Sequence, residues 1–528
     1  MDSRKKTRGL TRREFLRSLA AGVSVPYLSK LPGLRTSAVL NDVFWVKGIP
    51  DQPFYDPGQL NHHIGLDSLL CLMADDGLNF YRSSSGQPFA SPSGLIAAAD
   101  IVLIKVNAQW KYRGCTNSDL IRGLIQRILD HPDGFSGEVV IVENGQGRGS
   151  LKCDTTAAYA GDRGVQANAN DEKHHFLYLV DSVFHDPRVS AYLLDPVRMT
   201  FLDDDDHVRD GYRQFENVSY PCFTTAGGNR VELREGIWKS GAHSRNLKLI
   251  NVPVLKHHDS GGSEITASLK HMYGLVSMSD GHKGFRHYGG LGETCGKMMV
   301  SVVPPILNII DAIWVSHSSI KGFPAKATFR ANQLLASQDP VAADYWAAKY
   351  ILYPVDSNFR HHPDFPGVDR WLGRARDTIN GRGGLLNPEK GIIVGQVTRN
   401  EAEMRIQTSQ AGDFLAKVRL SLSRSGLRFM ASVSEAGILE RSLDIGVSGA
   451  SPLAWTADTD VPWLSCSPAA ASGNRTVAVL VQTSGLEPGQ HSGRITIRCP
   501  GASNSPQSVS VVLSLHGRGR RASSKFDL

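Results

Sequence analysis

The sequence predicts an α/β region, built on a mostly parallel sheet covered by helices, followed by a C-terminal all-β antiparallel sandwich domain. Three observations predict it. Short β-branched runs alternate with helical periodicity over residues 98–400, as expected for strands buried on both faces. After about residue 415 the helical period stops, and strand-like runs recur between Gly, Pro, Ser and Asn. At 528 residues the chain is also too long for one ordinary domain.

The elements follow in order. Residues 98–107 (AADIVLIKVN) are a continuous apolar run, and 118–131 (SDLIRGLIQRILDH) have helical spacing. A second buried strand is expected at 138–145 (EVVIVENG), a third at 248–256 (KLINVPVLK), and a helix at 262–276 (GSEITASLKHMYGLV). Residues 306–314, 333–338 and a helix over 340–352 continue the series, with Asp339 as N-cap and Pro340 at the first helical position. Strand-like runs at 418–422, 442–447, 476–482, 494–499 and 509–515 make up the C-terminal region. The expected organisation is a leader over 1–38 and an α/β domain over 39–400 with its core at 98–350. A linker over 401–417, a sandwich over 418–517 and a disordered basic tail over 518–528 complete it.

Hydrophobic residues make up 41% and charged residues 21%, a globular balance. The net charge of +7 belongs to the leader. Residues 1–38 hold nine Lys/Arg against two acidic residues, so the rest of the chain is neutral overall and is not expected to bind nucleic acid. Within the leader, Arg4, Lys5, Lys6 and Arg8 precede Thr11-Arg12-Arg13-Glu14-Phe15-Leu16-Arg17, which resembles a twin-arginine export signal. The resemblance implies the twin-arginine machinery as a partner, export in the folded state, and a periplasmic or extracellular location. The apolar stretch 18–28 is short and broken by Gly22 and Pro26, and no segment of the chain reads as a stable membrane span. Thr36-Ser37-Ala38 offers small residues for cleavage.

The seven cysteines contain no C-x-x-C pair, so neither a zinc ribbon nor an iron–sulfur cluster is expected. Cys71, Cys115, Cys153, Cys222 and Cys295 are expected as isolated buried thiols. For Cys466 and Cys499, close together in one small β-rich region, pairing after export stays open.

Residues 98–350 resemble the domain of unknown function 362 family. The resemblance rests on Lys105-Val106-Asn107, Thr116-Asn117, Asn251-Val252-Pro253-Val254-Leu255-Lys256-His257-His258 and Ser268-Leu269-Lys270-His271-Met272-Tyr273-Gly274. Lys283 with His287, and Asp339-Pro340-Val341-Ala342-Ala343-Asp344, complete it. Val106 departs from a usual Pro, and His271 from a common Asn. Ferredoxin-type cysteines of some relatives are absent, and the family brings no settled reaction. Residues 418–515 resemble BACON-type and related immunoglobulin-like modules, through Pro452-Leu453-Ala454-Trp455-Thr456, Val461-Pro462-Trp463-Leu464, Gly485-Leu486-Glu487-Pro488-Gly489 and Ser503-Asn504-Ser505-Pro506-Gln507. That implies a spacer or glycan-binding module, with Trp455 and Trp463 filling a thin core.

The candidate site gathers at element ends. Lys105 and Lys256 stand at strand ends, Lys270 in the helix after Gly261-Gly262, and Lys283 in the next loop, with Asn107 as a neutral hydrogen-bonding group. Lysines converging on one cleft repel one another unless an anion or a carboxylate fills the space, and Asp311 is the candidate carboxylate. The alternative is four lysines solvated on separate faces. His257, His258, His271, His282 and His287 fall within 31 residues. Acid/base work by Lys256, His257 or His287 and metal ligation by His257, His258 or His287 both stay open, although no H-E-x-x-H spacing supports a metal. At most one of His257 and His258 should face the site. The aspartates of FLDDDDHV (201–208) read as a solvated turn, and VENGQGRG (142–149) lacks a nucleotide-binding register. Three functions follow as expectations. The first is binding of an anionic small molecule or cofactor in a Lys/His-lined cleft, with or without enzymatic turnover. The second is non-catalytic metal or cofactor binding, and the third is glycan binding by the sandwich.

Overall fold

The structure is a computed structural model that describes residues 40–55, 61–85, 87–145, 149–154, 164–194, 212–258, 264–276, 289–416, 418–433, 437–448, 454–500, 502 and 504–517. The chain divides into two compact units, Met1–Leu40 and Asn41–Leu528. The leader, FLDDDDHV, Gly261-Gly262, His282, Lys283, His287 and the basic tail lie outside the described residues.

The second unit begins with β1 (Asn41–Lys47), α1 (Ile64–Asp75), β2 (Ile101–Lys105), α2 (Ser118–Leu129), β3 (Glu138–Glu143) and β4 (Val189–Leu193). Strands β5 to β9 (Tyr212–Phe215, Val218–Thr224, Arg230–Glu232, Gly236–Lys239 and Ala242–Ser244) form a separate five-stranded antiparallel sheet. Next come β10 (Leu247–Asn251), β11 (Val254–His257), β12 (Ile265–Thr266), α3 (Ser268–His271) and α4 (Leu291–Lys297). The α/β part closes with β13 (Leu307–Ser316), β14 (Thr328–Ser337), α5 (Pro340–Ala347), α6 (Pro366–Asn380) and β15 (Met404–Gln410).

The central ten-stranded sheet runs β15-β1-β14-β13-β10-β2-β3-β4, with β11 added beside β13 and β12 paired to β11. It is mixed rather than mostly parallel throughout. The block β13-β10-β2-β3-β4 is parallel, but β14 runs antiparallel to both β1 and β13. Residues β2 and β3 are buried along their whole length, as a strand covered on both faces requires. Three expectations are corrected. The run 248–256 is two strands, because Val252-Pro253 interrupts the ladder where Pro has no N–H to donate. The helix expected over 262–276 shrinks to α3 plus a 3₁₀ turn at Met272–Leu275, because Ile265 and Thr266 pair with β11 instead. The linker expected over 401–417 contains β15, which pairs in parallel with β1 along its full length.

The C-terminal part has β16 (Arg419–Leu422), β17 (Gly426–Ser432), β18 (Ile438–Ser448), β19 (Ala454–Thr459), β20 (Leu464–Ser467), β21 (Ala470–Ser472), β22 (Arg475–Gln482), β23 (Gly489–Arg498) and β24 (Gln507–His516). They form a four-stranded sheet, β16-β18-β22-β20, and a five-stranded one, β17-β24-β23-β19-β21. Pairing is antiparallel except for β17 with β24, which is parallel. Alternating residues of both sheets, among them Leu443, Val479, Ile495 and Val511, enclose one apolar core. Trp455 is buried in it and donates its indole N–H to the Gly473 carbonyl at 2.9 Å, whereas Trp463 is half-buried at its margin. Cys466 and Cys499 are free thiols and lie in different sheets, on β20 and just beyond β23. No described helix is long and apolar enough to cross a membrane.

Candidate functional site

The parallel strands deliver their C-terminal residues to one end of the sheet, where ligands of such folds collect. Lys105 ends β2 and Glu143 ends β3, the strand beside it, so the two side chains meet in a buried ion pair. Lys105 also donates to the Val106 carbonyl at 2.9 Å and contacts His271 Nε2 at 3.0 Å. All three N–H bonds of its ammonium are therefore used. Lys105 supplies charge to the site but has no hydrogen bond left to offer a ligand.

The His271 tautomer follows from its partners. Asn251 spends its amide N–H bonds on the Ser268 carbonyl and Asn308 Oδ1, both at 2.9 Å, so its Oδ1 must accept. His271 Nδ1 lies 2.7 Å from that oxygen and carries the proton, which leaves Nε2 to accept from Lys105. Burial and the neighbouring Lys105 charge hold His271 well below its ordinary pKa, so the ring is neutral.

Helix α3, which carries Lys270 and His271, is held by Asp344. Its carboxylate accepts from the Ser268 and Leu269 N–H groups at 2.7 and 2.9 Å. Asp344 is in turn placed by α5, whose start is set as the sequence predicts. Asp339 accepts from the Val341 and Ala342 N–H groups, and Pro340 occupies the first turn. Asn107 holds β11 in place by accepting from the Val254 N–H at 2.9 Å, while Thr116 bridges the Asn107 N–H and the Val252 carbonyl.

These elements enclose a cavity of about 40 Å³ lined by Lys105, Lys256, Lys270, His258, His271 and Glu143, with Asn107, Thr266 and Tyr273 beside them. That is room for roughly two or three waters, or one small oxyanion or carboxylate. Lys256 has a relative exposure of 3% and donates to the Gly114 carbonyl at 2.6 Å. No carboxylate pairs with it among the described residues, and two of its ammonium N–H bonds are without an acceptor there. Thr266 sits opposite Lys256 in the β11–β12 ladder, and its buried hydroxyl also has no partner among the described residues. Burial pulls Lys256 down to about 7. The nearby Cys115 and Glu143 oppose this, and Lys270 and Lys105 reinforce it. Burial pushes Glu143 up to about 7 against the stabilising Lys105 charge. Two groups poised near neutrality, beside unsatisfied donors, can hold an anion and exchange protons with it.

Lys105, Asn107, Lys256 and Lys270 are thus brought together. Asp311 is not. It accepts from the Asn117 N–H at 2.7 Å and the Ile313 N–H at 3.1 Å, away from the lysines, and burial raises it to about 7. Glu143, not Asp311, is the carboxylate that balances Lys105. His257 does not line the cavity either. It contacts His361 Nε2 at 2.8 Å, and His361 leans on Asp356 at 3.3 Å. His258 takes the cavity-facing position. Alternation could have chosen it, since Lys256 and His258 share a strand face. Among the described residues no group of three or more His, Cys, Asp or Glu could hold a metal ion.

Two larger clefts occur elsewhere, about 390 Å³ beside Arg234 and Arg245 and about 440 Å³ beside Gln87 and Asp444. In the first, Arg245 pairs with Glu389 and Glu235 accepts from Tyr220, and in the second Thr476 donates to Asp444. Chemistry, not volume, singles out the smaller cavity.

No curated protein matches the chain. Solved structures match it at low overall similarity. A Bacteroides ovatus GH5 xyloglucanase shares 18% identity over 19% of this chain and 19% of its own, with a TM-score of 0.16. A PapD-like domain of human CEP192 shares 12% over 19% of this chain and 87% of its own, also at 0.16. A Porphyromonas gingivalis protein of unknown function shares 15% over 21% and 54%, again at 0.16. The chain therefore spans about a fifth of the first of these proteins. Lys256, Lys270 and Asp344 all lie within residues 238–349, the segment that matches the family described as Domain of unknown function (DUF362).

Proposed function

We propose that this is an exported protein whose α/β region binds a small anionic molecule, through a carboxylate or oxyanion head group, in the Lys256 cavity. One observation carries the reading: Lys256 and Thr266 turn unsatisfied donors into the same buried space. Leaving such groups unpaired costs roughly 1–3 kcal/mol each, more for a charge, and an anion removes that cost. Lys105 and Lys270 add favourable potential. With Lys256 and Glu143 both near neutrality, the site also suits an enzyme that moves a proton to or from its bound anion. Export rests on the Arg12-Arg13 motif and the basic leader. The C-terminal sheets suit an immunoglobulin-like sandwich of the BACON type acting as a spacer, since Trp455 is consumed by the core.

Native mass spectrometry with elemental analysis tests the reading without a guessed substrate. The expected result is a bound organic or inorganic anion, lost in Lys256→Met. Stoichiometric transition metal retained in that variant would overturn it.

A further inference from the structure

We propose that Lys256 is a nucleophile whose amine condenses with the carbonyl of a small 2-oxo carboxylate to form an imine in the cavity; this rests on the anion-binding reading above and adds the class of anion and its covalent fate. Three lysines line the cavity, and their surroundings set them different tasks. Lys105 is committed to Glu143, to the Val106 carbonyl and to His271. Lys270 lies over the Tyr273 ring, 5.4 Å from its centroid, a contact that favours the charged form. Lys256 has neither a carboxylate nor an aromatic face among the described residues, and its acceptor there is the Gly114 carbonyl at 2.6 Å.

One acceptor suits a neutral amine better than an ammonium. The amine spends one N–H on Gly114 and keeps a lone pair, whereas the ammonium leaves two N–H bonds buried without acceptors. Burial, reinforced by Lys270 and Lys105, moves Lys256 the same way, down to about 7. A buried lysine beside other cations is the activated amine that imine chemistry requires.

The rest of the lining defines the partner. Lys270 and Lys105 supply positive potential for a carboxylate. Asn107, whose Oδ1 is taken by the Val254 N–H, has its amide N–H bonds left to offer. Thr266 stands directly across the β11–β12 ladder from Lys256, so its hydroxyl shares a face with the amine and can donate to the carbonyl oxygen under attack. A carboxylate and a carbonyl on adjacent carbons meet both demands within about 40 Å³, which favours the smallest 2-oxo acids.

In the step, the Lys256 Nζ lone pair forms a bond to the carbonyl carbon, and the carbonyl π pair moves to the oxygen. That oxygen takes up a proton and the nitrogen loses one, giving a carbinolamine. The oxygen is protonated again and leaves as water, the nitrogen lone pair closes the C=N bond, and the nitrogen gives up its second proton. Glu143, pushed up to about 7 in the same lining, gives and takes these protons. Amine and carbonyl become imine and water, with no change of oxidation state.

The test incubates the full chain at pH 7 with glyoxylate and cyanoborohydride, which reduces an imine to a stable carboxymethyl amine, and maps the peptides by mass. Lys256 should be labelled at least roughly tenfold faster than the exposed Lys326, an ordinary lysine held protonated at this pH. Added phosphate should slow the labelling of Lys256 several-fold and leave Lys326 unaffected. No label on Lys256, a label no faster than that on Lys326, or labelling indifferent to phosphate would overturn the proposal. Phosphate has no carbonyl and so reads the anion site by itself. A melting temperature that rises with phosphate, without a label on Lys256, overturns the imine and leaves anion binding standing, whereas neither response overturns both. The unaltered chain decides, so no variant has to fold.

Discussion

Lys256 and Thr266 are cross-strand partners in the β11–β12 ladder, and each points a polar group with an unmet hydrogen bond into one cavity. A buried hydroxyl without a protein partner contributes nothing to folding, so its removal should be benign. Thr266→Val is expected to change stability by less than about 1 kcal/mol, since an apolar isostere removes an unsatisfied group. The same variant should weaken anion binding several-fold. Urea denaturation with and without phosphate checks both halves. A loss of stability above about 2 kcal/mol would show that Thr266 has a partner in the resting protein.

The Lys105–Glu143 pair behaves in the opposite way. Both members are buried, so removing one leaves a charge without compensation. Glu143→Gln is expected to cost about 3–5 kcal/mol, and Lys105→Met a similar amount. The double variant should recover much of the loss, because two neutral side chains leave no buried charge. Strictly additive losses in denaturant midpoint would contradict the pairing.

Stability should depend on pH in two windows of opposite sign. Asp311 is raised from 3.8 to about 7, so the folded state holds a proton there that the unfolded chain has lost. Its contribution is fully present below about pH 4 and fades as pH rises through 7, and Asp344 and Asp339 act in the same direction. Asp311→Asn should reduce this slope by one proton. Lys256 is lowered from 10.5 to about 7, so in that window the unfolded chain binds the extra proton. Stability therefore rises with pH from about 7 toward 10.5, and Lys256→Met should remove that rise. Denaturation midpoints across pH 4–10 measure both slopes.

Asp344 ties the site to the helix that carries Lys270 and His271. Asp344→Ala leaves the Ser268 and Leu269 N–H groups buried and unpaired. The expected cost is about 2–4 kcal/mol, accompanied by weaker anion binding as α3 loosens. An unchanged ligand response in a folded Asp344→Ala protein would mean that α3 does not set the cavity.

The parts of this site that were legible in the sequence are those fixed by strand ends. Lys105 and Lys256 sit where an apolar run stops, and a parallel sheet delivers such positions to one edge. Asp339 was legible because a cap is a local event. Glu143 also ends an apolar run, but its role depends on the neighbouring strand supplying Lys105, which no local pattern records. Asp311 looked like the balancing carboxylate, but its acceptors are spent on the backbone of residues 117 and 313, a contact across 194 positions that no local pattern records. The direction of β14 is not written in its composition, and only its pairing reveals that it runs antiparallel.

The central claim is that Lys256 receives an anion. The most direct measurement is the melting temperature of the full chain against phosphate and small carboxylates, at pH 6 and pH 8.5, for the unaltered protein and Lys256→Met. A ligand-dependent rise is expected that is larger at pH 6, where Lys256 holds its proton, and absent in Lys256→Met. A rise of equal size at both pH values that survives in Lys256→Met would contradict it.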